Sequence, residues 1–168
     1  FNYYSKQLGH DYDHLGSLAS SGQTIMPLLE ELNSLNYYQI SGPKSLGLEW
    51  VVENFHETIK NYDNNVNDIL KTLVEHAAFQ ISETLNQYGN GQVLLSGGGV
   101  YNKFFIKILT QHSNSKFIIP SKPIIDYKEA LIFGFLGVLK LRNEINCMKS
   151  VTGASKNHST GEIYEIIK

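Results

Sequence analysis

Apolar residues recur at helical spacing along most of this chain. The longest such pattern covers residues 66–88, where apolar side chains return every three or four positions over about six turns. Asn65 can cap the start of this helix and Gly89 can end it. The same spacing predicts a helix over residues 24–35, with Pro27 in its first turn.

Two more helices are predicted in the first third of the chain. Residues 2–8 form the first, which ends at Gly9. Ser45 can cap the second, and five of its apolar residues share a face: Leu48, Val51, Val52, Phe55 and Ile59. Residues 36–43 are a connector, and residues 61–65 are a polar break before the longest helix.

The last predicted helix covers residues 126–142. Its apolar residues lie almost all round the helix, so the pattern predicts a buried helix. Asp126 and Glu129 have N-cap to N3 spacing, which is an acidic variant of the capping box. Small residues over 150–155 predict a turn, and residues 161–167 predict a last strand.

Three consecutive glycines separate a strand pattern from a helix pattern. Residues 93–95 are an apolar run with the length of a buried strand, and Gly97, Gly98 and Gly99 follow it. Asn102 can cap the helix that comes next. A second short strand covers residues 116–119 before Pro120, so strand, helix and strand predict a parallel crossover.

A glycine turn between strand and helix can present backbone N–H groups to a phosphate or a nucleotide. Glycine suits such a turn because a Cβ would block close approach and would strain a positive φ. No Gly-Lys-Ser/Thr follows, so the turn is not a Walker loop, and its spacing differs from the dinucleotide fingerprint. From these residues alone, a tight structural turn is an equal alternative.

Composition excludes several classes of protein. Apolar residues make up 42% of the 168 residues and charged residues 18%, as in ordinary globular domains. A net charge of -2 gives no basic field for nucleic acid or an anionic membrane, and no apolar run has membrane-spanning length. Cys147 is the single cysteine, which excludes an internal disulfide and favours a reducing cytoplasm. The start at Phe1, without Met, suggests a fragment of a longer protein.

Two polar features near the start of the chain invite a ligand interpretation. Residues 9–16 contain two aspartates and two histidines, but nothing fixes them in the geometry of a zinc site, so a hydrogen-bonded turn is favoured and no metal ligand is assigned. Lys44 precedes a helix and could reach a ligand, although a solvated side chain is the favoured interpretation. His76 within the longest helix is interpreted as surface or core filling rather than as a catalyst.

Five segments together resemble the C-terminal part of the 1,6-anhydro-N-acetylmuramic acid kinases, members of the sugar kinase, Hsp70 and actin superfamily. They are, in chain order, YDHLGSLASSG at 12–22, PKSLGLE at 43–49, LLSGGGVYN at 94–102, KEA at 128–130 and VTGA at 151–154. The resemblance covers nearly the whole chain. It implies a helix-rich α/β fragment of an actin-like ATPase (ribonuclease H-like) C-terminal domain with a short parallel strand-helix-strand unit.

The resemblance also implies an activity. Enzymes of this family use ATP and Mg²⁺ to phosphorylate O6 of the sugar and open its anhydro bridge with water, in the recycling of cell-wall sugar. The phosphate-loop domain and the aspartate base are expected upstream of Phe1, so no catalytic residue is assigned to this chain and the chain alone is expected to be inactive. The expected partners are ATP and an amino sugar, without nucleic acid or membrane, and a homodimer is left open.

Site residues carry over from the family residue by residue. Gly97, Gly98 and Gly99 match the glycine run on the nucleotide side. Glu129 matches a glutamate that contacts the sugar, which competes with its capping role. Lys44 and Asp13 match by position without an assigned chemistry.

Two alternatives come from other classes of protein. A non-catalytic actin-like or chaperone-like nucleotide-binding module would explain the glycines, but it leaves the KEA and VTGA segments as coincidence. An interaction domain without a ligand would make the glycines only a turn. An aspartate just upstream of Phe1 would favour the kinase over the nucleotide-binding module.

Overall fold

The helices and strands of a computed structural model follow most of the predicted pattern. The structure describes residues 1–41, 44–62 and 65–164. They form two units, Phe1–Pro120 and Ser121–Lys168. The helices of the first unit are α1 (Asn2–Gln7), α2 (Ser17–Ser21), α3 (Met26–Asn33), α4 (Asn36–Gln39), α5 (Leu48–Val51), α6 (Glu57–Lys60), α7 (Val66–Asn86) and α8 (Lys103–His112). Its strands are β1 (Gln92–Leu94) and β2 (Lys116–Ile118), and the second unit contains α9 (Lys122–Leu141) and α10 (Lys149–Thr152).

Helix α7 is the centre of the first unit. The Asn65 side chain caps it by accepting from the Asn67 N–H (2.7 Å), so the predicted start is confirmed. The helix ends at Asn86, two residues before its predicted end, and Gly89 follows in a turn with φ of 78°. Helices α1, α2, α3 and α8 all pack against it. The buried core contains Tyr4, Ala19, Leu28, Leu32, Ile59, Ile69, Leu70, Leu73, Val74, Ala78, Ile108 and Leu109.

The predicted crossover is confirmed. Strands β1 and β2 pair in parallel, with Val93 opposite Phe117, and α8 connects them. Helix α8 packs on α7, which brings the only sheet found in the described residues against the helical core. The protein is therefore a helix-rich α/β structure with a two-stranded parallel sheet.

The helix around residue 50 differs from its prediction. It starts after Gly47 without a side-chain cap, so the predicted cap by Ser45 is wrong. A π-helical turn, Val52–His56, separates α5 from α6. Because an i→i+5 turn rotates the following residues relative to those before it, the five predicted apolar residues do not share one buried face. Ile59 is buried, whereas Leu48 is 74% exposed.

Other boundaries differ in smaller ways. The helix predicted over 24–35 is α3, with Pro27 in its first turn as expected. Residues 36–39 of the predicted connector form α4, so that part of the prediction is wrong. Gly42 and Pro43 of the connector, Asp63 and Asn64 of the polar break, and 165–167 of the predicted last strand lie outside the described residues. The described part of that last segment, 161–164, is not a strand.

In the second unit, α9 begins four residues before its predicted start. Ser121 precedes the helix and Pro123 lies in its first turn. The prediction of a buried helix is wrong, since most of its apolar side chains are exposed, Phe133 by 71%. A helix that is apolar all round is buried only where neighbours cover it on every side. The predicted turn near 150 is largely α10, which ends at Gly153 with φ of 73°.

A glycine at the end of α2 allows close packing on α7. A Cβ built on Gly22 would lie 2.2 Å from the carbonyl oxygen of Asn67 and 2.8 Å from the backbone nitrogen of Asp68. The Asp68 side chain accepts from the Gln23 N–H (2.7 Å), which holds the same junction. Helix α2 is therefore fixed against the first turn of α7 by backbone contact.

We expect Gly22→Ala to lower the free energy of unfolding by about 2 kcal/mol, because the methyl group would overlap helical backbone that cannot rotate away. The φ of Gly22, -84°, suits any residue, so the effect is steric. Urea unfolding measures it, with Gly91→Ala as control because a Cβ there meets nothing within 4 Å. Equal stability of the two variants would contradict this packing.

Candidate functional site

The glycine segment forms a sharp turn between β1 and α8. The Leu95 N–H donates to the Ile118 carbonyl (2.8 Å), which extends the pairing of the strands by one residue. Gly97 then adopts φ 88° and ψ 171°, a region that only glycine occupies readily. A single 3₁₀ turn, Gly98–Tyr101, follows, with the buried Val100 beneath it. The backbone thus passes from the end of β1 through one short turn into α8.

The outer side of this turn is open. A Cβ built on Gly97, Gly98 or Gly99 would meet nothing within 4 Å among the described residues, and Gly98 and Gly99 are exposed. The positive φ of Gly97 explains why a glycine occupies position 97. The φ angles of Gly98 and Gly99, in contrast, lie outside the left-handed region. Neither backbone strain nor internal crowding therefore requires glycine at 98 and 99. Their bare backbone is accessible to a group from outside the chain.

Asn102 joins the turn to α8. Its Oδ1 accepts from the Phe105 N–H (2.9 Å), so the predicted cap is confirmed. Its own N–H donates to the Gly99 carbonyl (3.1 Å). The conformation of the glycine turn is therefore linked to the first turn of the helix.

Helix α8 is in turn fixed to α7 by a charged cluster. Glu75 lies 3.0 Å from His112 Nε2 and 3.5 Å from Lys71 Nζ. The Lys71 ammonium also lies over the Phe104 ring, 4.3 Å from its centroid. Contacts at both ends of α8 thus hold it on the core.

The aspartate-histidine loop folds as the expected hydrogen-bonded turn. The two carboxylate oxygens of the buried Asp13 accept from the N–H groups of Leu18 (2.8 Å) and Ala19 (3.0 Å). Asp13 thereby fixes the start of α2. Within residues 1–41, 44–62 and 65–164, no three His, Cys, Asp or Glu side chains are placed to hold a metal ion.

Lys44 is exposed, but its ammonium forms hydrogen bonds within the chain, which the interpretation as a solvated side chain does not include. Its ammonium donates to the carbonyls of Tyr37 (2.8 Å) and Ile40 (3.0 Å) and lies 4.7 Å from the centroid of the Tyr37 ring. A cation suits this position because the last carbonyls of a helix carry negative partial charge. Lys44 therefore holds the end of α4.

Glu129 lies inside α9, about two turns from its start, so it cannot be the N3 residue of a capping box. Asp126 is likewise inside the helix, where it pairs with Lys122, and the capping interpretation is wrong. Glu129 is exposed, and no side chain of the described residues forms a hydrogen bond with it. Glu129 belongs to the second unit and the glycine turn to the first.

His76 is a buried part of the core, in agreement with its structural interpretation. Tyr38 donates its hydroxyl to Nε2 (2.8 Å), and Nδ1–H donates to Asn33 Oδ1 (2.7 Å), which also accepts from Gln80 (3.1 Å). Burial lowers the pKa of His76 from 6.5 to about 4. The pKa of Tyr38 is raised to about 12, first by burial and then by Tyr37. Both groups are therefore neutral at pH 7.

One residue near the site was missed by the sequence analysis. Gly16 has φ of 79° and packs directly against Asn102. It follows Leu15, which also has a positive φ of 56°. Gly16 lies in the segment at 12–22 that carries the family resemblance, but neither that segment nor the preceding Asp13 identifies the contact across the fold.

Comparisons with known proteins agree with the resemblance. The sequence model of the family described as anhydro-N-acetylmuramic acid kinase matches residues 2–166. Three relatives named anhydro-N-acetylmuramic acid kinase are similar to this chain. That of Sulfurovum sp. (strain NBC37-1) is 34% identical over 91% of the chain, that of Francisella tularensis subsp. novicida (strain U112) 32% over 91%, and that of Legionella pneumophila (strain Lens) 32% over 97%.

The chain is shorter than these relatives. It covers 43%, 42% and 46% of their respective lengths. The chain therefore spans less than half the length of the curated relatives it matches. None of the helices in the described ranges has the length and apolar character needed to cross a membrane.

Proposed function

Since the chain belongs to the anhydro-N-acetylmuramic acid kinase family, we propose that it is part of an ATP-dependent sugar kinase. The parent protein phosphorylates O6 of 1,6-anhydro-N-acetylmuramic acid and opens the anhydro bridge with water, giving N-acetylmuramic acid 6-phosphate. The chain is the C-terminal part of this two-domain kinase, with an actin-like ATPase fold. The phosphate loop and the aspartate base belong to the rest of the parent.

The observation that carries the proposal is the open backbone at Gly98 and Gly99. No atom of the described residues lies where their Cβ atoms would be, so another molecule can approach the main chain closely. A backbone in this position, between a strand and a helix N-terminus, offers N–H groups to phosphate oxygens. The residues present therefore fit a nucleotide.

ATP with Mg²⁺ supplies the phosphoryl group when bound. In this proposal Gly98 and Gly99 donate backbone N–H groups to the nucleotide, and Gly97 provides the glycine-only conformation from which the turn starts. Asn102 holds the turn on α8. No ligand of Mg²⁺ is assigned to this chain.

The exposed apolar side chains of α9 support the assignment to a larger protein. Leu131, Phe133, Phe135 and Leu141 are each 60% or more exposed. Soluble proteins rarely leave so many large apolar side chains exposed together, because further structure or a partner covers them. We propose that the parent works in the cytoplasm, and a homodimer stays a prediction.

Assaying both lengths of the protein tests the function. The parent, incubated with ATP, Mg²⁺ and the anhydro sugar in ¹⁸O-labelled water, should give the sugar 6-phosphate with one ¹⁸O atom at C1. The 168-residue chain alone should give no turnover, because positioning and charge stabilisation supply most of phosphoryl-transfer catalysis. Turnover by the chain comparable with that of the parent would contradict the assignment of the phosphate loop and the aspartate base to the rest of the parent. Absence of product from a folded parent would contradict the proposed kinase activity.

Glu129 is the proposed sugar ligand, since its carboxylate is exposed and has no capping role. In the parent, Glu129→Gln should lower kcat/KM for the sugar by about 10-fold, because a charged acceptor binds hydroxyl groups about twice as strongly as a neutral one. The KM for ATP and the melting temperature should stay near wild type. Glu83→Gln, at an exposed glutamate inside α7, is the control. Normal sugar kinetics in the Glu129 variant would remove this residue from the site.

A further inference from the structure

The loop that precedes α2 touches the residue that holds the glycine turn. A Cβ built on Gly16 would lie 2.2 Å from Asn102 Oδ1 and 2.5 Å from Phe104 Cβ. Oδ1 cannot swing away without cost, because it accepts the capping hydrogen bond from the Phe105 N–H. Phe104 Cβ is close to the helix backbone and moves only with it. Gly16 therefore sets how closely this loop and the start of α8 can approach.

From these contacts we propose that Gly16 is a positioning residue for the nucleotide-binding turn, an inference that rests on the proposed function. The link runs through Asn102, whose N–H donates to the Gly99 carbonyl (3.1 Å). A shift of Asn102 therefore moves Gly99 and, through the short 3₁₀ turn, Gly98. Gly16 itself touches no substrate.

The loop cannot retreat from Asn102, because it is anchored on its other side. Asp13 is buried and accepts two backbone N–H groups at the start of α2. The end of α2 is fixed on α7 through Gly22, where no space for a Cβ exists. Leu15 retains a positive φ, a conformation that persists only where its surroundings hold it.

The other side of the contact is also fixed. Glu75 contacts His112, and the Lys71 ammonium lies over the Phe104 ring, so α8 is held on α7. Gly98 and Gly99, in contrast, have open space beside their Cα atoms. A side chain added at position 16 therefore pushes on Asn102 and the first turn of α8, and the glycine turn that is hydrogen-bonded to Asn102 has open space in which to move with them.

The chain contains a matched control for this contact. Gly9 has φ of 80°, nearly the same as the 79° of Gly16, but a Cβ on Gly9 meets nothing within 4 Å. Alanine at either position has the same unfavourable backbone conformation. Only Gly16→Ala adds the overlap with Asn102 and Phe104, so the difference between the two variants isolates the positioning effect.

The experiment compares these variants in the full-length parent. In titration calorimetry with a non-hydrolysable Mg-ATP analogue, Gly16→Ala should weaken binding by about 10-fold, because a misplaced turn loses its pre-organised contacts. Gly9→Ala should bind within about twofold of wild type. In steady-state kinetics, Gly16→Ala should raise the KM for ATP and leave the KM for the sugar unchanged, a split that a general loss of stability would not produce. Wild-type affinity in a folded Gly16→Ala protein, or equal losses in both variants, would overturn the proposal.

Two further measurements keep the test decisive. If Gly16→Ala does not fold, Asp13→Asn loosens the same loop. It should lower the affinity for the ATP analogue and leave the KM for the sugar unchanged. Unchanged affinity for the analogue would overturn the proposal. If the wild type binds no nucleotide, the proposed function fails. In that case ¹⁵N–¹H spectra of the ligand-free protein still test whether Gly16 positions the glycine turn. Gly16→Ala should shift the Gly98 and Gly99 amide signals and Gly9→Ala should not, and unshifted signals in Gly16→Ala would overturn it.

Discussion

Gly98→Val in the parent kinase should weaken ATP binding by about 100-fold, which corresponds to about 2.7 kcal/mol of binding free energy. The valine side chain would fill the space through which a phosphate group reaches the backbone N–H groups of the turn. The fold should tolerate the change, because a Cβ at this position meets nothing within 4 Å and φ lies outside the left-handed region. Titration calorimetry with a non-hydrolysable ATP analogue measures the loss.

Gly91→Val is the matched control for this experiment. Gly91 lies just before β1, is exposed, and also has open space at its Cβ position. The control should keep wild-type ATP affinity, and both variants should melt near the wild-type temperature. Wild-type affinity in a folded Gly98→Val protein would support a purely structural turn.

Acidification should destabilise the first unit through His76 by about 3 kcal/mol, at 1.36 kcal/mol for each unit of pKa difference. Its pKa is 6.5 in an unfolded chain and about 4 in the fold, because the folded side chain is buried. Between these values the unfolded chain binds a proton that the folded protein does not. The contribution of His76 is therefore complete above pH 6.5, falls as the pH declines, and is lost near pH 4.

Urea unfolding of wild type and His76→Gln between pH 4 and 7 measures this dependence. The variant should be less stable at pH 7, because the ring contacts of His76 with Tyr38 and Phe55 are lost, but its stability should change less with pH. His56, whose pKa is lowered first by burial and then by Lys60, adds a smaller effect of the same sign that remains in the variant. The control is His10→Gln, at an exposed position, which should keep the wild-type dependence. An unchanged pH dependence in His76→Gln would contradict this account.

Features determined by neighbouring residues could be predicted from the sequence. The three-four spacing before Gly89 identified α7, and the caps Asn65 and Asn102 act within two or three residues of their own positions. The parallel crossover followed from a short apolar run on each side of α8. These predictions are confirmed because the interactions that determine them are short-range.

Features determined by contacts across the fold could not be predicted. The closeness of Gly16 to Asn102 depends on how α2 packs, and nothing in the local sequence encodes that distance. The pattern also could not show the π-helical turn before α6. The spacing of Asp126 and Glu129 suggested a cap, but Pro123 is already in the first turn of α9, so the helix begins earlier.

The candidate site was predictable only in part. The triple glycine and its place between strand and helix were visible in the sequence, and the structure adds that Gly98 and Gly99 have no internal reason to be glycine. The exposure of α9 could not be predicted from the sequence. An apolar pattern all round a helix indicates that the helix needs neighbours, but it does not show which chain segment supplies them. The roles of the glycines and of Glu129 stay predictions.

Amide NMR of the full-length protein tests the central claim most directly. A ¹⁵N–¹H titration with a non-hydrolysable Mg-ATP analogue follows the backbone N–H groups of Gly98 and Gly99 themselves, independently of turnover. We expect both signals to shift and to saturate with the same dissociation constant that calorimetry gives. Saturable binding that leaves the Gly98 and Gly99 signals unchanged would contradict the claim that this turn holds the nucleotide.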